Sequence, residues 1–272
     1  MSPIRLLVSD VDGTLVDKEK RLTAPTADAV RRLEAAGCAF TIISARPRSG
    51  MMPIADTLAI DRPMGAFNGG IVFHRDGRVD EHHVIDPEAA RGVFALVDGA
   101  AVDRWVFADD RWHASTDQGV HVDHERLASN QDPIVQDRFD DLLDHADKIT
   151  FVSDDPALLK ALHEKCAAAF GERATIAQSQ TYYLDVTALQ ANKGDGIVAL
   201  TTAIGVDLAE TAAIGDQNND LPMLERAGYA VAMGNAPGNV QNAADAVTAG
   251  NDADGVVHAI DALIIPRLGA KP

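Results

Sequence analysis

The sequence predicts an α/β fold, with a Rossmann-like parallel-sheet core built from both ends of the chain and an α+β cap domain inserted in it. Three observations predict this. Short, continuously apolar runs alternate with helical stretches at both ends, the pattern of strands buried on two faces. The middle changes to hairpins and helices. The chain has 272 residues, 46% of them hydrophobic, which at about 150 residues per domain suits one large or two smaller globular domains.

The elements follow in order. Ile4 to Val8 is an apolar strand, and Thr26 to Ala36 a helix with Val30 and Leu33 on one face and Gly37 just past its end. Ala39 to Ile43 is the second strand, Arg48 to Leu58 a helix containing Pro53, and Met64 to Phe67 a short third strand. Ile71 to Phe73 and Val79 form a hairpin around Asp76-Gly77. Asp86-Pro87 then caps and opens a helix. "VDRWVFADDRWHAS" gives two strands joined at Asp109-Asp110, "DKITFVSD" another, and Asp155-Pro156 opens a helix with Leu159, Leu162, Cys166 and Phe170 in one packing stripe. "RATIAQS" and "TYYLDV" pair as strands. The βαβ rhythm returns with a helix over Gly194 to Ala203, a strand over Thr211 to Ile214, a helix over Asn219 to Arg226 and a strand over Tyr229 to Met233. Short units follow, ending in a helix over Ala253 to Ile264. The expected division is a core of residues 1–81 and 188–272, with a cap of residues 82–187.

Charge excludes some partners. With 24 basic and 41 acidic residues the net charge is −17, which argues against nucleic acid, whose binding needs basic stripes. A phosphorylated substrate must then be attracted locally, by a metal ion, a few cations and backbone N–H groups. No apolar run nears the roughly 18 residues of a membrane span, and a signal-peptide pattern is missing. Cys38 and Cys166 have no CxxC spacing; they read as buried thiols of a cytoplasmic protein.

In open α/β sheets, ligands bind beyond the carboxyl ends of the strands. Four predicted core strands end there in polar residues. Asp10 and Asp12 follow the first, Ser44, Ala45 and Arg46 the second, and Asn68, Gly69 and Gly70 the third. Gly215, Asp216, Asn219 and Asp220 follow the strand at Thr211, and Lys193 opens a helix leading back into the core. Carboxylates as close as Asp10 and Asp12 repel each other, so their convergence with Asp216 and Asp220 calls for a cation. Oxygen-only donors without His or Cys select a hard ion, and Mg²⁺ fits. One carboxylate is then a candidate nucleophile toward phosphorus, its neighbour a general acid and base. Lys193 and loop N–H groups balance charge on the phosphoryl group.

In order, "DVDGTL", "IISAR", "NKGDGI" and "GDQNND" resemble the motifs of the haloacid dehalogenase superfamily of phosphohydrolases. The inserted segment resembles the type II (subtype B) cap of its Cof-type members. The resemblance implies Asp10 as nucleophile and Mg²⁺ ligand, Asp12 as general acid and base with its carbonyl on the metal, and Asp216 as the remaining protein ligand. It implies Ser44 and Lys193 at the phosphoryl group, with Val11 and Ala45 N–H groups and the Asn219 side chain adding contacts. Asp220 would hold Lys193 or a metal-bound water. Ala45 stands where many members have Gly, and Asn68-Gly69-Gly70 where many have "NGA". Arg46 reads either as a phosphate-steering group or as a structural ion pair, and Asn68 as a supporting residue.

The implied activity is a Mg²⁺-dependent phosphatase acting on a small phosphorylated metabolite, a sugar phosphate or similar, as a monomer or small homo-oligomer. A phosphomutase or phosphotransferase on the same scaffold is the alternative. A non-catalytic sugar-phosphate sensor predicts loss of Asp10 or Asp12, yet both are present. A cation-pump domain would carry Thr in place of Asp12 and have membrane helices. His82-His83 and His121 to His124 lack a third ligand at usable spacing and read as cap or surface residues. Trp105 and Trp112 read as cap core.

Overall fold

The computed structural model describes residues 2–269. In chain order the elements are β1 (Leu6–Ser9), α1 (Ala24–Ala35), β2 (Ala39–Ile42), α2 (Arg48–Leu58), β3 (Met64–Ala66), β4 (Ile71–Phe73), β5 (Val79–His82), α3 (Pro87–Val97), β6 (Asp103–Ala108) and β7 (Arg111–Ala114). Then come α4 (Val122–Ser129), β8 (Ile134–Val135), β9 (Lys148–Val152), α5 (Pro156–Phe170), β10 (Thr175–Gln180), β11 (Tyr183–Thr187), α6 (Lys193–Ile204) and β12 (Thr211–Gly215). Last are α7 (Leu221–Arg226), β13 (Tyr229–Ala232), α8 (Gly238–Ala243), β14 (Ala246–Val247) and α9 (Gly255–His258), which continues as a wider turn over Ala259–Ile264.

The chain divides into two compact units. One comprises the residues up to Ala45, Met51–Glu81 and those from Asn192 onward; the other comprises Arg46–Gly50 and His82–Ala191. The first contains a parallel sheet of order β14-β13-β12-β1-β2. β1 lies between β12 and β2, with Leu6 opposite Thr211 and Ala39, and Ser9 opposite Ile214 and Ile42. All four residues of β1 are buried, as expected of a strand covered on both faces. Leu6, Val8, Ala213, Ala230 and Ala232 on one face pack with Ile197, Leu200, Met223, Leu224 and Val240 from the helices. The predicted third strand does not join this ladder as a full member. A single parallel bridge, Ile43 to Gly65, links it to β2, and β3 instead pairs antiparallel with β4 in a small sheet of order β3-β4-β5.

The second unit carries a six-stranded sheet of order β10-β11-β9-β6-β7-β8, antiparallel except where β7 meets β8. Helices α3 and α5 cover one face, where Val93, Val97, Leu159, Leu162 and Cys166 bury Val106, Ile149, Phe151, Leu184 and Val186. Side chains alternate across a strand, so Trp105, Phe107, Trp112, Thr150 and Asp185 share the other face, as the cross-strand register requires. Both tryptophans are fully buried. Asp86 and Asp155 cap α3 and α5, each accepting backbone N–H bonds from the first helical turn. Asp109 and Asp110 both have positive φ, 53° and 59°, the tight hairpin expected between β6 and β7.

Two elements of this unit, α4 and β8, go beyond the sequence reading. In α4 only Val122, Glu125 and Ser129 are buried, so no apolar stripe announces it.

Candidate active site

The ladder around β1 runs one residue past the strand ends. Asp10 N–H donates to the Ile214 carbonyl at 2.9 Å, Ile43 N–H to Ser9 at 2.9 Å, and Met233 N–H to Gly215 at 2.9 Å. Asp10, Ser44 and Asp216 therefore leave adjacent strands at one carboxyl edge. Asp10 is 5% exposed, Asp216 3%, Asp220 0% and Lys193 1%.

Lys193 is the hub. Asn192 caps α6 by accepting the Asp195 N–H, which starts the helix with Lys193 in its first turn. Its ammonium donates to Asp10 Oδ1 and to Asp220 Oδ1. Asp220 also accepts, on Oδ2, the backbone N–H groups of Asp216 at 2.7 Å and Gln217 at 2.8 Å. These bonds engage both oxygens of Asp220 and make it a brace for its loop. Asp216 instead receives longer bonds, from Thr14 Oγ1 at 3.1 Å and from Gln217 Nε2 and Asn235 Nδ2 at 3.2 Å each.

The electrostatics are unbalanced. One ligand oxygen each from Asp10, Asp216 and Asp220 lie within 4.8 Å of one another, and the described ion pairs give these three acids one cationic partner, Lys193. Three carboxylates against one ammonium leave a formal charge of 1 − 3 = −2. Burial pushes Asp10 well above the usual carboxylate range; Lys193 opposes the rise, and Asp220 and Asp216 add to it. Asp216 is raised to about 6, by burial and then by Asp220. Burial works against the Lys193 ammonium, but Asp10 and Asp220 outweigh it and hold its pKa above the ordinary value. A divalent cation would supply the missing charge. The donors are all oxygen, so they fit a hard ion such as Mg²⁺.

Gly13 shows how tightly the acids are set. It has φ +80°, and a Cβ there would lie 2.3 Å from Asp216 Oδ2. Only a residue without a side chain lets the turn after β1 pass this close to the carboxylate.

The other predicted residues are placed as follows. Val11 is buried in the turn after β1, and Asp12, on the same turn, accepts a 2.7 Å bond from Lys20 Nζ. Ser44 is buried, its N–H bonded to the Gly65 carbonyl at 2.9 Å and its carbonyl to the Asn68 N–H at 2.7 Å. Ala45 follows it, partly buried. Asn68, at φ 60°, accepts a 3.2 Å bond from Asn219 Nδ2, joining two of the strand-exit loops. Arg46 groups with the second unit, where its guanidinium donates to the Gly50 carbonyl at 3.1 Å. Sequence reasoning missed Thr14 and Asn235; extending the strand-exit rule to the strand before Asn235 would have found the latter. Among the described residues no histidine cluster completes a metal set. His82 pairs with Asp147 at 2.5 Å, and His121 with Asp154 at 2.7 Å.

A family model for haloacid dehalogenase-like hydrolases matches residues 7–260. The chain is 26% identical to phosphatase YwpJ of Bacillus subtilis (strain 168), covering 96% of this chain and 100% of that protein. Its fold matches a haloacid dehalogenase-like hydrolase from Bacteroides thetaiotaomicron with a TM-score of 0.87 at 25% identity, over 95% of this chain and 98% of the other. It also matches the HAD subclass IIB sugar phosphatase BT4131, with a TM-score of 0.83 at 26% identity, over 96% and 99% of the two chains. The fold is thus shared with these structures along nearly the whole length, and the family model spans most of the sequence: the chain belongs to the haloacid dehalogenase-like hydrolase family, as a phosphohydrolase.

Proposed function

We propose that the chain is a Mg²⁺-dependent phosphatase that hydrolyses a small phosphorylated metabolite, a sugar phosphate or similar, through an aspartyl-phosphate intermediate. The observation that carries this reading is the cluster of three buried carboxylates, Asp10, Asp216 and Asp220, around the single ammonium of Lys193, a formal charge of −2. Asp10 and Asp216, with the Asp12 carbonyl, would hold the metal. When bound, the ion supplies positive charge to the phosphoryl oxygens.

Lys193 orients the Asp10 carboxylate and shares its charge, so that the other Asp10 oxygen meets phosphorus opposite the leaving oxygen. Asp10 forms the new P–O bond as the ester P–O bond breaks, and Asp12 gives its proton to the departing alkoxide. Asp12 then takes a proton from water, which attacks the phosphoryl group and returns Asp10 as a carboxylate with inorganic phosphate. Ser44, Asn219 and the N–H groups of Val11 and Ala45 would bind the phosphoryl oxygens. Asn68 has a supporting place in this reading, beside Asn219. The unbridged, buried thiols Cys38 and Cys166 fit a cytoplasmic enzyme, and none of the described helices is long and apolar enough to cross a membrane.

The test is a phosphate-release screen over a metabolite panel with Mg²⁺, run beside Asp10→Asn. The proposal expects turnover on at least one small phosphate ester and its loss in the variant with the fold intact. Full turnover in Asp10→Asn would overturn the assignment of the nucleophile. An isomerised hexose phosphate without free phosphate would favour a mutase.

A further inference from the structure

Between β1 and α1 the chain folds back on itself at Asp17–Arg21. Asp17 N–H donates to the Arg21 carbonyl and Lys20 N–H to the Asp17 carbonyl, each at 3.0 Å. Arg21 closes the turn, donating its backbone N–H to Asp17 Oδ1 at 2.9 Å and its guanidinium to Asp17 Oδ2 at 3.0 and 2.8 Å. These bonds hold Lys20 at φ +62°, a left-handed conformation that side chains other than glycine's rarely adopt. The strained backbone aims a long side chain back at the preceding turn, where Lys20 Nζ donates to Asp12 Oδ1 at 2.7 Å. Both side chains are largely shielded, at 25% and 30% exposure.

An ion pair still partly open to solvent adds little to stability, and it is a weak reason to keep a lysine in a costly conformation. Its partner, however, is the residue that the proposed function makes the proton donor. We infer that Lys20 is a positioning residue for Asp12, a reading that rests on the phosphatase assignment above. Holding Oδ1 fixes the plane of the Asp12 carboxyl group and with it the direction from which Oδ2 meets the leaving oxygen. As the ester P–O bond breaks, the Asp12 proton passes to that oxygen, and the ammonium stands beside the carboxylate that remains. Asp10 supplies the electron pair for the new P–O bond, and Lys20 exchanges no proton.

Such a role has a signature that a structural ion pair lacks. Help from a general acid matters most when the leaving group is a strong base. The test compares kcat/KM, which reports transfer to Asp10 and not the later hydrolysis, for phenyl phosphate and 4-nitrophenyl phosphate. The two esters are similar in shape and differ in the basicity of the leaving oxygen. Wild type, Lys20→Met, Asp12→Asn and the double variant are measured with Mg²⁺, with folding checked by circular dichroism. We expect Lys20→Met to lower kcat/KM for phenyl phosphate by about tenfold more than for 4-nitrophenyl phosphate, and to add no further loss in the Asp12→Asn background. Equal losses on both esters, or the same factor with and without Asp12, would overturn the inference. A wild-type protein that releases phosphate from neither ester nor from the metabolite panel would overturn the phosphatase reading itself, and this one with it.

Discussion

Replacing Lys193 with methionine tests the charge balance of the site. The ammonium is 1% exposed and bridges Asp10 and Asp220, which are 7% and 1% exposed at their side chains. Methionine fills similar space but leaves two buried carboxylates without their cation. Removing one partner of a buried ion pair costs about 3–5 kcal/mol, a large share of the roughly 5–15 kcal/mol that holds a domain together. The cost must depend on pH. Burial already holds the Asp10 pKa well above the usual carboxylate range, with Lys193 opposing the rise, so the variant raises it further. A carboxyl whose folded pKa lies above its unfolded one contributes stability that is present below the unfolded value and lost as pH rises through the folded value. Above that folded value the variant should therefore show the whole penalty. As pH falls through it, protonation of Asp10 removes one of the two stranded charges, and the loss should shrink to roughly half. Two compact units rule out a single unfolding curve as the measure. Hydrogen exchange of the slowest amides in peptides covering β1 and β12, with chelator present, reads the affected unit alone. A penalty that stays the same as pH falls, or none at all, would refute the reasoning.

Two further predictions concern other parts of the molecule. Gly13→Ala places a Cβ where only 2.3 Å separates it from Asp216 Oδ2, on a backbone at φ +80°; hydrogen exchange of the slowest amides in β1 and β12 should record a loss of about 1–2 kcal/mol, while Mg²⁺-dependent turnover falls by about 100-fold or more. Turnover near wild type in that variant would show that Asp216 is not held where the site needs it. His82 has its pKa raised, chiefly by its hydrogen bond to Asp147, so the pair's stabilisation is complete below about pH 6.5 and fades as pH rises through the higher folded value. At 46% side-chain exposure the effect is screened to about 0.5 kcal/mol, and His82→Asn should flatten the stability of the second unit between about pH 6 and 8; an unchanged slope would refute it.

Much of this was legible because the strand-exit rule works on local sequence. The apolar run before Asp10 and the Thr211 run before Asp216 mark two strand ends, and parallel pairing of β1 with β12 puts both acids at one edge. Lys193 was legible only through the order of the motifs, since nothing local in "NKGDGI" separates a buried lysine from a solvated one. Its partner Asp10 lies 183 residues away, so the pairing belongs to the topology. Asp220 illustrates a finer limit. Its spacing from Asp216 suits a cap or a ligand equally, and only the N–H bonds on Oδ2 distinguish a brace. Lys20 stayed hidden because its reach to Asp12 depends on a left-handed backbone that no glycine or asparagine advertises. Helix α4 escaped notice because it begins from His121 at φ 63° without a capping side-chain bond and lacks an apolar stripe. Arg46 follows Ser44 closely in sequence yet groups with the inserted unit, a division that local pattern does not encode.

The central claim is that the Asp10 carboxylate takes the phosphoryl group. Acid quenching during turnover of an active ester, followed by borohydride reduction and peptide mass spectrometry, measures this directly, because an aspartyl phosphate is reduced to homoserine and a free carboxylate is not. The account predicts homoserine at position 10 in the wild-type enzyme with Mg²⁺, and none without substrate or in Asp10→Asn. Turnover that leaves Asp10 unmodified while another residue carries the phosphoryl group would contradict it.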